Sequence, residues 1–127
     1  MTKIYISQSK MPKAGRGVFA GEEIKKGEVI EVAPFIEIPQ QELENIEESV
    51  LVNYVYFFGK QKERMLIALG FGSIYNHTYT PNAKYKINPK KQTIEFIAID
   101  SIKKDQEITV NYIQGNSKNI QLWFEAA

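Results

Sequence analysis

The chain contains no cysteine. Disulfides and thiolate-held metals are therefore excluded, and the redox state of its surroundings is immaterial to the fold. It has one histidine, His77, so a histidine-based metal cluster is excluded as well. No loop gathers the several carboxylates that a hard cation needs, and no metal is expected. Long apolar runs are also missing. Nothing approaches the roughly 20 consecutive apolar residues that cross a bilayer, and the first stretch, MTKIYISQSK, lacks the apolar run of a secretory signal. The expectation is a protein that engages no membrane and resides in the cytoplasm. An excess of one charge is missing too: 16 Lys and Arg stand against 15 Asp and Glu, a formal net charge of +1. No broad basic surface is expected, and so no direct binding of nucleic acid.

What is present suits one domain over residues 1–127. Hydrophobic residues make up 43% of the chain, enough to bury a single core. Most of the chain reads as short strands broken by turns. Ile4 and Ile6 alternate with polar neighbours; 29–32 follows a Lys-Lys-Gly turn; VLVNYVYFFG (50–59) and RMLIALG (64–70) are rich in β-branched and aromatic residues. The segments 84–87 and 93–99 flank a polar Pro-containing turn and predict a hairpin. The helical spacing of Leu43, Ile46 and Val50 predicts a helix over 40–48, and the tail from 116 onward predicts a second short one. Residues 101–112 repeat the turn-and-strand design of 22–32: Ile, Lys-Lys, a turn residue, then a strand. The fold class is mainly β (a β-rich α+β domain), with several short sheets and one or two short helices.

Three short motifs carry chemistry. GRGVFA (15–20) alone is a weak phosphate-loop cue and reads more readily as a turn between strands, since no P-loop or dinucleotide fingerprint surrounds it. NHTYTPN (76–82) gathers the histidine, two amides and a proline in an irregular segment. EITVNY (107–112) alone is an ordinary strand. Together, in this order, they resemble the SET-domain family of lysine methyltransferases. GRGVFA looks like the family's Gly-x-Gly motif. NHTYTPN is similar to its central Asn-His-Ser-x-x-Pro-Asn motif, with Thr78 in the Ser place. EITVNY looks like Glu-Leu-Thr-x-x-Tyr, with Ile108 for Leu. The resemblance spans roughly residues 3–113 and is to short members without cysteine-rich flanking segments.

The resemblance implies a β-clip fold in which the central motif and the final Tyr meet in a C-terminal pseudoknot. It implies S-adenosylmethionine as cofactor, S-adenosylhomocysteine as product, and a lysine-containing protein or peptide as substrate and partner. Tyr112 matches the catalytic Tyr and contacts both substrates. Arg16, Gly17, Asn76 and His77 match cofactor-binding positions. His77 is expected to be structural and cofactor-contacting, not a general base. Trp123 or Phe124, in the 114–127 segment, is placed to close the adenine pocket or simply to dock the tail. Tyr54, Tyr56, Tyr75 and Tyr79 are candidates for a lysine channel, and Val110 stands where bulkier residues tune the number of methyl groups. The 40–58 insert is the expected substrate-specificity segment. A homodimer is a further expectation, because a minimal domain leaves its surface incomplete. Two other readings stand beside this one: a non-catalytic module that keeps the fold to bind a peptide or partner, and a methyltransferase acting on a small amine.

The run Glu42, Glu44, Glu47 and Glu48 reads either as a solvated helix face or as an attractor for lysine-rich peptides. Reversing Glu44 and Glu47 to Lys is the discriminating test. Weakened binding of a lysine-rich peptide at low salt, with recovery at high salt, supports attraction; unchanged affinity leaves the solvated face.

Overall fold

A computed structural model describes residues 3–12, 14–61 and 63–112. Among the described residues nine strands form two sheets. The first sheet has the order β1-β2-β9-β6 and joins Ile4–Gln8 (β1), Arg16–Ala20 (β2), Glu107–Val110 (β9) and Asn76–His77 (β6). The second has the order β4-β5-β3-β8-β7 and joins Val55–Phe58, Arg64–Ala68, Val29–Glu37, Thr93–Ala98 and Ala83–Asn88. The period-two alternation in the sequence shows directly in burial. Ile94, Phe96 and Ala98 of β8 and Ala83 and Tyr85 of β7 turn inward, while Lys84 and Lys86 stay in water. Val18, Ala20, Ile108 and Val110 of the first sheet meet these residues in one shared core. A smaller cluster, Ile38, Val55 and Met65, lies beneath the Leu43–Glu47 helix (α1), which covers it with Leu43 and Ile46.

Two local expectations are corrected. The 50–59 strand begins only at Val55, because 50–54 winds into a 3-10 turn. Ser49 directs this: its hydroxyl donates to the Ile46 carbonyl and accepts from the Leu51 N–H, which closes the preceding helix and starts the new turn. The Gly-x-Gly motif is likewise not a turn over its length, since Arg16 onward is strand paired with β1.

The two turn-and-strand devices face one another. Ile24 and Ile102 form an antiparallel bridge with both N–H···O bonds at 2.8 Å. In each turn the residue after Lys-Lys, Gly27 or Asp105, has positive φ. In each, the side chain that follows (Glu28 or Gln106) accepts the N–H of the first Lys.

The C-terminal strand is captured on both sides. β9 pairs antiparallel with β2 and parallel with β6, where Asn76 faces Thr109 and His77 faces Val110. Asn82 completes the capture. Its amide donates to the Glu107 carbonyl at 2.9 Å and accepts the Thr109 N–H at 2.9 Å, so one side chain reads the β9 backbone as a neighbouring strand would. Asn82→Ala leaves both backbone groups without that partner. A loss of about 2 kcal/mol or more is expected in denaturant unfolding, and a loss under about 0.5 kcal/mol would show that β6 alone holds the strand.

Candidate functional site

Tyr112, one residue beyond the Asn111 that follows β9, is pinned at each of its polar groups. Its N–H donates to His77 Nδ1 at 2.9 Å, its carbonyl accepts the Tyr85 hydroxyl at 2.6 Å, and its own hydroxyl donates to the Tyr75 carbonyl. The ring is buried and lies edge-on to Tyr56, centroids 5.4 Å apart. Burial first, then Tyr54, Glu107 and Tyr85, push the Tyr112 hydroxyl above the ordinary tyrosine range. It stays protonated at neutral pH.

His77 owes its tautomer to this arrangement. Nδ1 accepts a backbone N–H, so the neutral ring carries its proton on Nε2. Nε2 is buried and has no hydrogen-bond partner among the described residues. The ring lies 4.6 Å from Tyr79, edge to face, and 5.2 Å from Tyr112.

A second cluster lies beside β2. The Asn76 amide donates to the Arg16 carbonyl at 3.0 Å and to Glu107 Oε2 at 2.7 Å, and Glu107 Oε1 accepts the Ser9 hydroxyl at 2.7 Å. Gly17 makes this possible. A Cβ there would stand 2.3 Å from Glu107 Oε2 and 2.9 Å from Asn76 Nδ2. The Arg16 side chain itself is exposed, so its backbone is what faces the cluster.

The remaining predicted residues take different stations. Tyr54 and Tyr79 are 41% and 57% exposed and lie at the surface near Tyr112 and His77 respectively. Tyr56 is buried, with its hydroxyl on the Gly72 carbonyl at 2.7 Å. Tyr75 is fully buried, packed 4.4 Å from Phe96, and its hydroxyl points to Glu31 at 2.8 Å; only its carbonyl reaches Tyr112. Val110 is fully buried in the shared core. Trp123, Phe124 and the 114–127 segment lie outside the described residues. Glu107 opens the EITVNY motif, but only the fold shows its bond to Asn76, and Tyr85, which bonds the Tyr112 carbonyl, does not stand out in the sequence. Tyr85 sits on the inward phase of β7, a signal that places it in the core but not on Tyr112.

Comparison with known proteins follows this geometry. The SET domain family matches residues 15–113. The chain belongs to the SET-domain family. It is a lysine methyltransferase by that membership and by its relatives. This SET domain is 32% identical over 114 residues to a Schizosaccharomyces pombe histone-lysine N-methyltransferase specific for H3 lysine-37, covering 89% of this chain and 72% of that one. It is 35% identical to a Plasmodium falciparum crystal structure described as a histone methyltransferase, with TM-score 0.72, over 93% of this chain and 99% of that one. It also resembles Polycomb Repressive Complex 2 of Chaetomium thermophilum bound to S-adenosylmethionine in an autoinhibited conformation. That likeness has TM-score 0.72 and 25% identity over 87% of this chain and 15% of the other.

The histidine of this SET domain makes the site sensitive to acid. Burial holds His77 below the ordinary histidine pKa of about 6.5. The unfolded chain therefore takes up a proton before the fold does. Stability is at its full value above about pH 6.5 and falls as pH drops through that value toward the lower folded pKa. Protonation at Nδ1 would also remove the acceptor for Tyr112 N–H. His77 is the only histidine, so the unfolding midpoint should fall between about pH 7 and 5.5 in the native chain. The slope should be lost in His77→Gln; an equal slope in both would contradict the assignment.

Proposed function

We propose that the protein carries a methyl group from S-adenosylmethionine to the side-chain amine of a lysine in a protein substrate. The observation that carries this reading is the state of the Tyr112 hydroxyl. Its hydrogen is committed to the Tyr75 carbonyl, so toward any further partner its oxygen can act only as an acceptor. An incoming amine can donate to that oxygen, which orients the nitrogen lone pair. Tyr112 is not a base in this scheme, because its hydroxyl is held protonated. The amine gives its proton to water before it enters, and the surrounding rings of Tyr54, Tyr56 and Tyr112 favour the neutral form by excluding water.

When bound, S-adenosylmethionine supplies an electrophilic methyl carbon on a sulfonium. The residues present fit such a group. The Arg16 carbonyl, the Asn76 amide and the Glu107 carboxylate set oxygen acceptors around Gly17, where an ammonium would be held. The His77, Tyr79 and Tyr112 rings offer faces to an adenine and a cation, and the orphan His77 Nε2–H is a donor in want of an acceptor. The 40–58 segment would meet the substrate. It leaves Val50 67%, Leu51 41% and Tyr54 41% exposed, the last of them near Tyr112, and α1 adds its acidic face.

Calorimetric titration of S-adenosylmethionine into the purified protein tests the donor site. Saturation near one site per chain is expected, weakened about tenfold or more in Asn76→Ala. No binding by folded protein would move the reading to a non-catalytic module. Tyr112→Phe should keep donor binding and lose about 100-fold in kcat. It should also lose about 1–3 kcal/mol of stability, since the buried Tyr75 carbonyl is left unpaired. A Phe variant with full turnover would remove Tyr112 from the chemistry.

A further inference from the structure

One buried carboxylate has no part in the scheme above. Glu31 lies on β3, 7% exposed. A bulge aims it there: Val29 pairs with Ile97 and Glu31 with Phe96, which leaves Ile30 as an extra residue. Unbroken alternation from the exposed Val29 would turn residue 31 to solvent; the inserted residue turns it to the interior beside Phe96. Among the described residues Glu31 meets no lysine or arginine within ion-pair distance. Neutral donors satisfy it. Oε2 accepts the Phe71 N–H at 2.9 Å and Oε1 accepts the Tyr75 hydroxyl at 2.8 Å.

These two donors stand at the ends of one turn, 71–75. The carboxylate therefore clamps that turn at both ends. Tyr56 holds its middle through the Gly72 carbonyl. Gly70 opens the turn with φ +63°, and a Cβ there would come within 2.5 Å of Glu31 Oε2. At its end the turn carries the Tyr75 carbonyl, acceptor of the Tyr112 hydroxyl hydrogen.

We propose that Glu31 is a positioning residue for methyl transfer, acting through Tyr75 to fix the rotor of the Tyr112 hydroxyl. The proposal rests on the reading of Tyr112 given above. An isolated buried carboxylate is an expensive way to hold a turn, and an apolar residue would suffice for packing alone. What a two-oxygen acceptor adds is a fixed distance between the Phe71 N–H and the Tyr75 ring, hence a fixed height for the Tyr75 carbonyl. With that carbonyl displaced, the Tyr112 hydroxyl is free to rotate its hydrogen toward the incoming amine, where it would compete with the amine's own N–H.

The test uses the full chain and two variants, Glu31→Gln and Tyr75→Phe, with recombinant histone H3 as methyl acceptor. In folded Tyr75→Phe, kcat should fall about 10- to 100-fold. The KM for S-adenosylmethionine and its calorimetric affinity should stay within about threefold, because neither substituted side chain bonds to the Arg16–Asn76–Glu107 cluster. Glu31→Gln keeps an acceptor for Tyr75 but presents an amide N–H to that of Phe71, so an intermediate loss is expected. The double variant should lose no more than the worse single one. Turnover within about twofold of native in both folded variants, or a change confined to KM, overturns the proposal. A second readout needs no turnover. The Tyr112 hydroxyl proton should give a slowly exchanging NMR signal in the native protein that broadens or disappears in both variants. Unchanged protection overturns the proposal even if native protein binds donor but leaves H3 unmethylated, an outcome that would count separately against the functional reading.

Discussion

The capture of β9 is the constraint on which the rest depends. A four-residue strand is too short to hold itself, and its parallel contact with β6 spans two residue pairs. Two side chains that act as backbone and one further main-chain bond supply what is missing. Asn82 satisfies a carbonyl and an N–H of β9, the Thr78 N–H reaches the Val110 carbonyl, and His77 accepts the N–H of Tyr112. These bonds link segments some 25 to 35 residues apart in sequence. They form only once the loop and the C-terminal strand have met, and that meeting bears the loop-closure entropy. The same contacts that close the fold bring Tyr112 against the central motif. Folding and assembly of the site are therefore one event.

The interior built this way is polar in unusual places. Glu31, His77 and the hydroxyls of Tyr56, Tyr75, Tyr85 and Tyr112 are buried together among apolar rings. Each hydroxyl has an acceptor, and most acceptors are main-chain carbonyls or a carboxylate held by other bonds. In a low dielectric such a network is rigid, because a side chain that rotates away leaves a partner unpaired. Rigidity is what alignment of an amine with a methyl carbon requires, since displacements of about 1 Å are felt in rate. Burial also keeps every phenol in the cluster protonated at neutral pH.

Some of this is readable from the amino acids in order. The strands of the β7–β8 hairpin follow from alternation and the Pro-containing turn, and the twin Lys-Lys turns announce equivalent strand starts. The meeting of the central motif with the final Tyr was readable as well: His77 accepts the Tyr112 N–H, and Asn76 and His77 pair with β9. Other residues had no such signal. Tyr75 and Tyr79 sit four residues apart in one segment, yet one is fully buried with its hydroxyl on Glu31 and the other is exposed over His77. Composition treats them alike because burial is a property of the partner surface. The 50–54 turn escaped for a related reason: β-branched and aromatic content favours strand, but capping by Ser49 decides the local path.

The sequence by itself determined the class of fold, the absence of thiol chemistry, the near-neutral charge and the motifs that mark the family. These depend on residue type and spacing, which the chain carries locally. Only the tertiary structure decided which tyrosines face solvent and which face the core, why residue 17 must lack a Cβ, and that Glu31 points inward. Each of those is set by contacts between distant segments: a bulge in β3 read against β8, and a carboxylate from β9 lying over β2. No periodicity within one segment encodes such a pairing.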